Sequence, residues 1–333
     1  MTASTDLVRI AGILLIAGNM LRCGGAPEPA PTSVTVLPPA DSDPVQALLI
    51  AARDNDLPLV KTVIEGGVDA DAVGPHRKTA LMTAATMGNL EIVQYLIEKG
   101  ADVNAAQEGG AVPLMPAAGF DRLETVKLLV EHGANVNAAT SDGMTALMFA
   151  ASKGAVDTAR FLVEKGADVR AEGAEGETSL SAAAESGSEP IVQLLLENGA
   201  DPGAVDKKGN DALMVAARHN RTEIARSLLQ KEGTNPKRAK KGGWTALMIA
   251  CGEGYTDTAA ALLDGGADPN QVNQSGWSAL MFAAGRGYTE TAALLLERGA
   301  DAMLKDAMGV DAKTVAAQNG HEETAALIEE KMK

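Results

Sequence analysis

From residue 46 onward the apolar positions recur in two kinds of block. A short one, such as Ala80–Met87, is apolar nearly throughout. A longer one, Leu90 to Lys99, is amphipathic: Leu90, Ile92, Val93, Leu96 and Ile97 share one helical face, while Glu91, Gln94 and Glu98 fall off it. Gly88-Asn89 separates the blocks and Gly100 follows the second, so the unit reads as helix, turn, helix, stop. Thr79 stands just before the short block, where a side-chain oxygen can accept an orphan backbone N–H and start the helix.

The pattern repeats with a fixed period. Thr79-Ala-Leu-Met82 returns as Val112-Pro-Leu-Met115, Thr145-Ala-Leu-Met148, Thr178-Ser-Leu-Ser181, Asp211-Ala-Leu-Met214, Thr245-Ala-Leu-Met248 and Ser278-Ala-Leu-Met281. The steps are 33 residues except for one of 34. Continuing by 33 in both directions places a degenerate first unit at Gln46 and a last at Asp311. Helix-ending glycines recur at Gly133, Gly166, Gly199, Gly266 and Gly299, with Pro202 and Pro269 close behind two of them. Ala-Asp-Val-Asn or a relative follows each, at 101–104, 134–137, 167–170, 200–203 and 267–270. A short polar, Gly-bearing connector, hairpin-like in character, then leads to the next cap.

A single helix pair cannot bury its apolar stripe, whereas a stack of them buries it continuously. The expectation is an all-α solenoid of nine helix–turn–helix units over residues 45–333, the first and last serving as caps. Composition agrees: 46% of residues are hydrophobic but only 3% aromatic, so Ala, Leu, Val and Met must fill closely packed layers. The Met that recurs in six units is read as core packing. A net charge of −15 argues against general affinity for nucleic acid or anionic membrane.

The first 45 residues differ in character. Arg9 leads an apolar run, Ile10-Ala-Gly-Ile-Leu-Leu-Ile-Ala17, too short to span a bilayer but of the length of a secretory signal core. Cys23 follows, then a spacer over 26–44 holding Pro27, Pro29, Pro31, Pro38, Pro39 and Pro44. Residues 1–25 resemble a bacterial lipoprotein signal in which Cys23 would be lipidated. Arg22 departs from the small residue expected there, and Asp6 departs from a basic lead-in. The other reading is a tail with an apolar segment.

The 33-residue period, the Thr-x-Leu-x helix start, Gly-Asn-Leu-Glu-Ile-Val at 88–93 and Gly-Ala-Asp-Val-Asn at 100–104 together resemble the ankyrin repeat. Ankyrin units commonly carry His where six units here carry Met, and this Thr-Ala-Leu-Met form resembles bacterial members. With the export-like N-terminus, the resemblance implies an exported envelope protein, periplasmic or membrane-anchored. It also implies a monomeric, non-enzymatic scaffold that grips another protein on a concave face of fingers and first helices, with no cofactor and no specific nucleic acid.

The residues themselves offer little chemistry. His76, His132, His219 and His321 come from different units, and Cys251 replaces one alanine of an Ala-Ala pair. Nothing matches a phosphate loop, a nucleophile elbow or a metal-ligand spacing. Glu172, Glu175 and Glu177 share one connector and read as a solvated loop. Trp244 and Trp277 precede helix caps in adjacent units, as partner anchors or as local packing. Between 205 and 241, ten basic residues stand against four acids. This basic stretch, 207–241, is a solvated excess or a landing patch; the alternative function is binding an anionic polymer or membrane surface through it.

Positions flanking the caps and following the Ala-Ala pairs are the variable ones in such units. They nominate Lys78, Met144, Lys153, Glu177, Lys207, Lys208, Asn210, Arg218, His219, Lys241, Trp244, Trp277 and Arg286 as partner contacts. Unit three carries Pro113 and Pro116 at the start of its first helix and Gly119 within it, which predicts a weak, frayed helix.

Overall fold

The computed structural model describes residues 43–333. Among these, eighteen α-helices form nine consecutive pairs: α1 (Pro44–Asp54) and α2 (Leu57–Glu65), α3 (Ala80–Met87) and α4 (Leu90–Glu98), α5 (Leu114–Gly119) and α6 (Leu123–Glu131). They continue as α7 (Ala146–Lys153) and α8 (Val156–Glu164), α9 (Ser179–Ser186) and α10 (Glu189–Glu197), α11 (Ala212–Arg218) and α12 (Thr222–Leu229). The last three pairs are α13 (Ala246–Gly252) and α14 (Thr256–Asp264), α15 (Ala279–Arg286) and α16 (Thr289–Glu297), α17 (Ala312–Gln318) and α18 (Glu322–Lys331). The apolar run 10–17 and Cys23 lie outside the described residues.

Local hydrogen bonds set most of the first-helix starts. Thr79, Thr145, Thr178, Asp211, Thr245, Ser278 and Asp311 each accept the backbone N–H three residues on. Two units depart from the expected register. In unit one Gln46 does not cap; Asp43 accepts the Val45 N–H, and Pro44, counted above as the end of the spacer, is the first helical residue. In unit three the cap position moves from Val112 to Pro113, which has no capping side chain, and α5 spans six residues where α7 spans eight. The single 34-residue step comes from one residue inserted between α12 and Gly233.

Packing explains the bend of the stack. The Ala-Ala pairs, such as Ala84-Ala85 and Ala150-Ala151, are fully buried and let neighbouring first helices approach closely. Second helices meet through larger side chains, such as Leu96, Leu129 and Leu162. Adjacent first helices therefore lie closer than adjacent second helices, so the stack curves toward its first-helix side. Met82, Met115, Met148, Met214, Met248 and Met281 are all at most 2% exposed, as core fillers should be.

The fingers are minimal hairpins. Isolated antiparallel bridges join Ala139 to Thr145, Glu172 to Thr178, Ala239 to Thr245, Val272 to Ser278 and Lys305 to Asp311. Neighbouring fingers bond through the backbone, for example Ala174 N–H to Asp142 O at 2.7 Å and Lys207 N–H to Glu175 O at 2.8 Å. At the finger bases the Asn of Ala-Asp-Val-Asn joins units. Asn104, Asn137 and Asn270 each donate from Nδ2 to the next unit's glycine carbonyl at 3.0 Å. Their Oδ1 atoms accept the N–H of Asn135, Asp168 and Asp301.

The turn between helices needs glycine twice over. Gly187 and Gly287 have φ of 85° and 72°, and a Cβ there would stand 2.7 Å from Arg221 and 2.5 Å from His321 of the next unit. Where Asp121 and Asn220 take the turn position instead, at φ 54° each, their side chains accept the hydroxyls of Thr158 and Thr258 in the following unit.

Candidate partner-binding face

The residue before each repeat of the Thr-Ala-Leu-Met block forms a column along the fingers: Lys78, Ala111, Met144, Glu177, Asn210, Trp244, Trp277 and, in the last unit, Val310. Its chemistry changes from unit to unit while the backbone beneath repeats. Lys78 is half-buried, and desolvation lowers its pKa. Met144 is half-buried, and the Glu177 carboxylate accepts the Glu175 N–H at 3.1 Å. A second row runs along the first-helix ends, where Lys153, Arg218, His219 and Arg286 are exposed. Partial desolvation holds the His219 imidazole below its ordinary pKa; Arg218 and Arg221 push the same way, and Glu185 opposes them. On the finger tips Lys207, Lys208 and Lys241 are exposed, and Lys207 lies 3.6 Å from Glu175.

Asn210 is a correction. Expected as a contact residue, it is 5% exposed. Asp206 accepts its N–H and its Nδ2 at 2.7 Å each, while Arg218 Nη2 and Lys240 Nζ both donate to its Oδ1, at 3.1 and 3.0 Å. Its short amide lies beneath two long cations and positions them instead of meeting solvent.

The basic stretch 207–241 does not form one surface either. Arg221 folds back over the preceding turn and donates to Glu185 O and Ser186 O. Arg226 pairs with Glu223 on α12, and Arg238 lies within ion-pair range of Asp211 at 3.3 Å without hydrogen-bond alignment. Asp211 is 2% exposed; burial raises its pKa, against the Met214 N–H and Arg238, which lower it. Lys207, Lys208, Arg218, Lys240 and Lys241 remain on the finger and first-helix side.

The two tryptophans meet through a third ring that the sequence reading passed over. Phe282, on α15, packs against Trp244 at 4.5 Å between centroids and against Trp277 at 5.0 Å, and all three are half-buried. Trp277 Nε1–H also donates to Asp306 Oδ2 at 3.2 Å. The available signal was register: two of the four phenylalanines, Phe149 and Phe282, hold the same position, four residues after their caps.

Among the described residues no group of three or more His, Cys, Asp and Glu converges as metal ligands, and no helix is long and apolar enough to cross a membrane. The Cys251 thiol is fully buried, and burial drives its pKa up, away from thiolate chemistry.

A stack of repeated helix pairs, each packed only on its neighbours, is the architecture of a repeat solenoid. The family model for ankyrin repeats matches residues 33–107, 105–173, 180–273 and 261–332, and the chain belongs to the ankyrin-repeat family. It is similar to the crystal structure of the human ASB11 ankyrin repeat domain, at 30% identity and a TM-score of 0.61, over 66% of this chain and 98% of that one. No curated protein matches it. Ankyrin repeats in general mediate protein–protein interaction and typically act as non-enzymatic scaffolds.

Proposed function

We propose that this chain is a non-enzymatic scaffold that grips a partner protein on the concave face of its array, with the strongest contacts in units six to eight. The observation that carries this reading is the changing chemistry along the fingers and first helices. Glu172, Glu175 and Glu177 give way to Lys207, Lys208, Arg218 and Lys241, and then to Trp244, Phe282 and Trp277, all on one repeated backbone. Aromatic residues beside Arg are the combination most often found at the centre of an interface.

In-cell photo-crosslinking from position 144 or 244 identifies the partner. Trp244→Ala combined with Arg218→Ala then removes most of its binding, each change costing about 2 kcal/mol or more, with the helical circular dichroism unchanged. If binding survives that pair but is lost when Glu98 or Glu164 on the second helices is reversed in charge, the partner uses the convex side and the reading fails.

The same proposal places the scaffold outside the cytoplasm. Arg9, the apolar run to Ala17 and the Pro-rich spacer support export, and Cys23 is the candidate lipid anchor. A cytoplasmic chain that keeps its first residues refutes export. Unchanged membrane partitioning of Cys23→Ser refutes lipidation separately.

A further inference from the structure

Two cationic side chains meet on one neutral amide at the junction of units six and seven. Arg218 and Lys240 both donate to Asn210 Oδ1, and Lys208 is near enough to act electrostatically on Lys240. A single amide oxygen takes one N–H from each cation and neutralises neither, whereas a carboxylate in its place would do both. Asp206, the acid that acts on Lys240, is already engaged: Oδ1 accepts the N–H of Lys208 and of Asn210, and Oδ2 accepts Asn210 Nδ2. Lys240 is half-buried, so its charge is poorly hydrated. Burial first, then Arg218 and Lys208, lower its pKa, with Asp206 opposing. Two like charges held on one atom repel, and an anion settling between them relieves that repulsion.

Aromatic surface begins on the same finger. Lys240 N–H donates to Trp244 O at 2.9 Å, closing the hairpin, so the ammonium and the indole belong to one turn. From Trp244 the surface continues over Phe282 to Trp277. Neighbouring helices in a stack lie ~10 Å apart and an extended chain advances ~3.3 Å per residue, so one unit corresponds to about three residues of a bound strand. The path is restricted on its other side. Glu253 is exposed on the helix-end row between His219 and Arg286, and repels an acidic segment running there. The fingers are the open route.

We infer that the surface of units six to eight takes an acidic peptide segment of a partner protein. A carboxylate sits between Arg218 and Lys240, and a large apolar or aromatic side chain about three residues away rests on Trp244, Phe282 and Trp277. This rests on the concave-face reading and specifies its chemistry. The chain's net charge of −15 adds selectivity, because acidic segments are repelled from most of the remaining surface.

A random peptide display library panned against the full-length chain tests it. The expected hits carry Asp or Glu about three residues from Phe, Trp or Leu. As synthetic peptides they lose at least about tenfold in affinity on Lys240→Gln with Arg218→Gln, and separately on Trp244→Ala, with helix content unchanged by circular dichroism. Selection that yields no such consensus overturns the inference. Neutral or basic hits that nevertheless depend on Trp244 overturn the chemistry but leave the concave face standing. Hits indifferent to all three substitutions and lost on Glu98→Lys or Glu164→Lys overturn the concave reading itself. If inorganic phosphate alone displaces the hits as readily as a free acidic peptide does, the cations form a phosphate site and the peptide assignment is wrong.

Discussion

The seam between units three and four and the seam between units five and six are built from the same backbone but closed differently. At the first, Asn137 makes two bonds across: Nδ2 to Gly166 O, and Oδ1 from the Asp168 N–H. At the second, that position is Gly203, which has no side chain to cross to Gly233. The next position along the series is Lys237, in the unit that carries the inserted residue. The regular seam keeps the Asn of the Ala-Asp-Val-Asn block, and the irregular one has lost it. The irregular one borders Asn210, Arg218 and Lys240, where two cations share one neutral amide oxygen. Stacking and recognition draw on the same few positions per unit, so a unit specialised for one gives up part of the other.

Breaking the regular seam should have the largest effect. Asn137→Ala removes both bonds and leaves the Gly166 carbonyl without its partner, for a loss of ~1–3 kcal/mol in urea denaturation. Lys237→Ala should change stability by much less, and equal losses would erase the distinction between the seams. The comparison sharpens if the irregular seam can be repaired. Gly203 N–H already donates to Asp201 Oδ1 at 2.8 Å, as Asn104 N–H does to Asp102, so the backbone is set for asparagine. Gly203→Asn should gain ~1 kcal/mol by reaching Gly233 O. A Cβ there would stand 3.0 Å from that carbonyl, so the neighbour must give slightly. A loss of stability would mean that it cannot.

Units three and four offer a third contrast. α5 is uncapped, short, and ends on Gly119, a residue that costs up to ~1 kcal/mol relative to Ala inside a helix. Amide hydrogen exchange should be faster over 112–121 than over 145–154, and equal protection would show that stacking against α3 and α7 fully compensates.

The smallest effect concerns two caps in the same register. Burial raises the pKa of Asp211, whereas the Thr314 side chain lowers that of Asp311 in the outer unit; burial opposes it there, and the Thr314 N–H, Lys305 and Lys313 lower it further. For Asp311 the stabilisation is present above the unfolded pKa and is lost as pH falls through the lower folded one. For Asp211 the sign reverses: the neutral form is favoured, so acidification through its raised pKa relieves a cost. Asp311→Asn should flatten the acid limb of the stability curve by less than ~1 kcal/mol after solvent screening. Asp211→Asn should leave neutral-pH stability level or slightly higher. A loss there as large as that of Asp311→Asn would contradict the assignment.

The sequence by itself determined the period, the helix pairs, the caps and the core methionines. Each is set within a few residues: a Thr or Asp side chain reaches the N–H three positions on, a turn glycine takes a left-handed φ, and an amphipathic block announces its own buried face. Departures within that range, such as Pro113 in unit three, were legible for the same reason. Tertiary structure decided the rest. Asn210 is buried because Lys240, thirty residues later, closes over it with Arg218. Phe282 joins Trp244 to Trp277 because stacking brings one unit's helix against the previous unit's finger. The basic stretch divides because consecutive residues in a helix pair face opposite sides of the array. The deciding contacts, Lys240 with Asn210 and Phe282 with Trp244, link residues roughly one repeat apart, and which side chain fills the gap between two units depends on both at once, a relation that no pattern within a single unit contains.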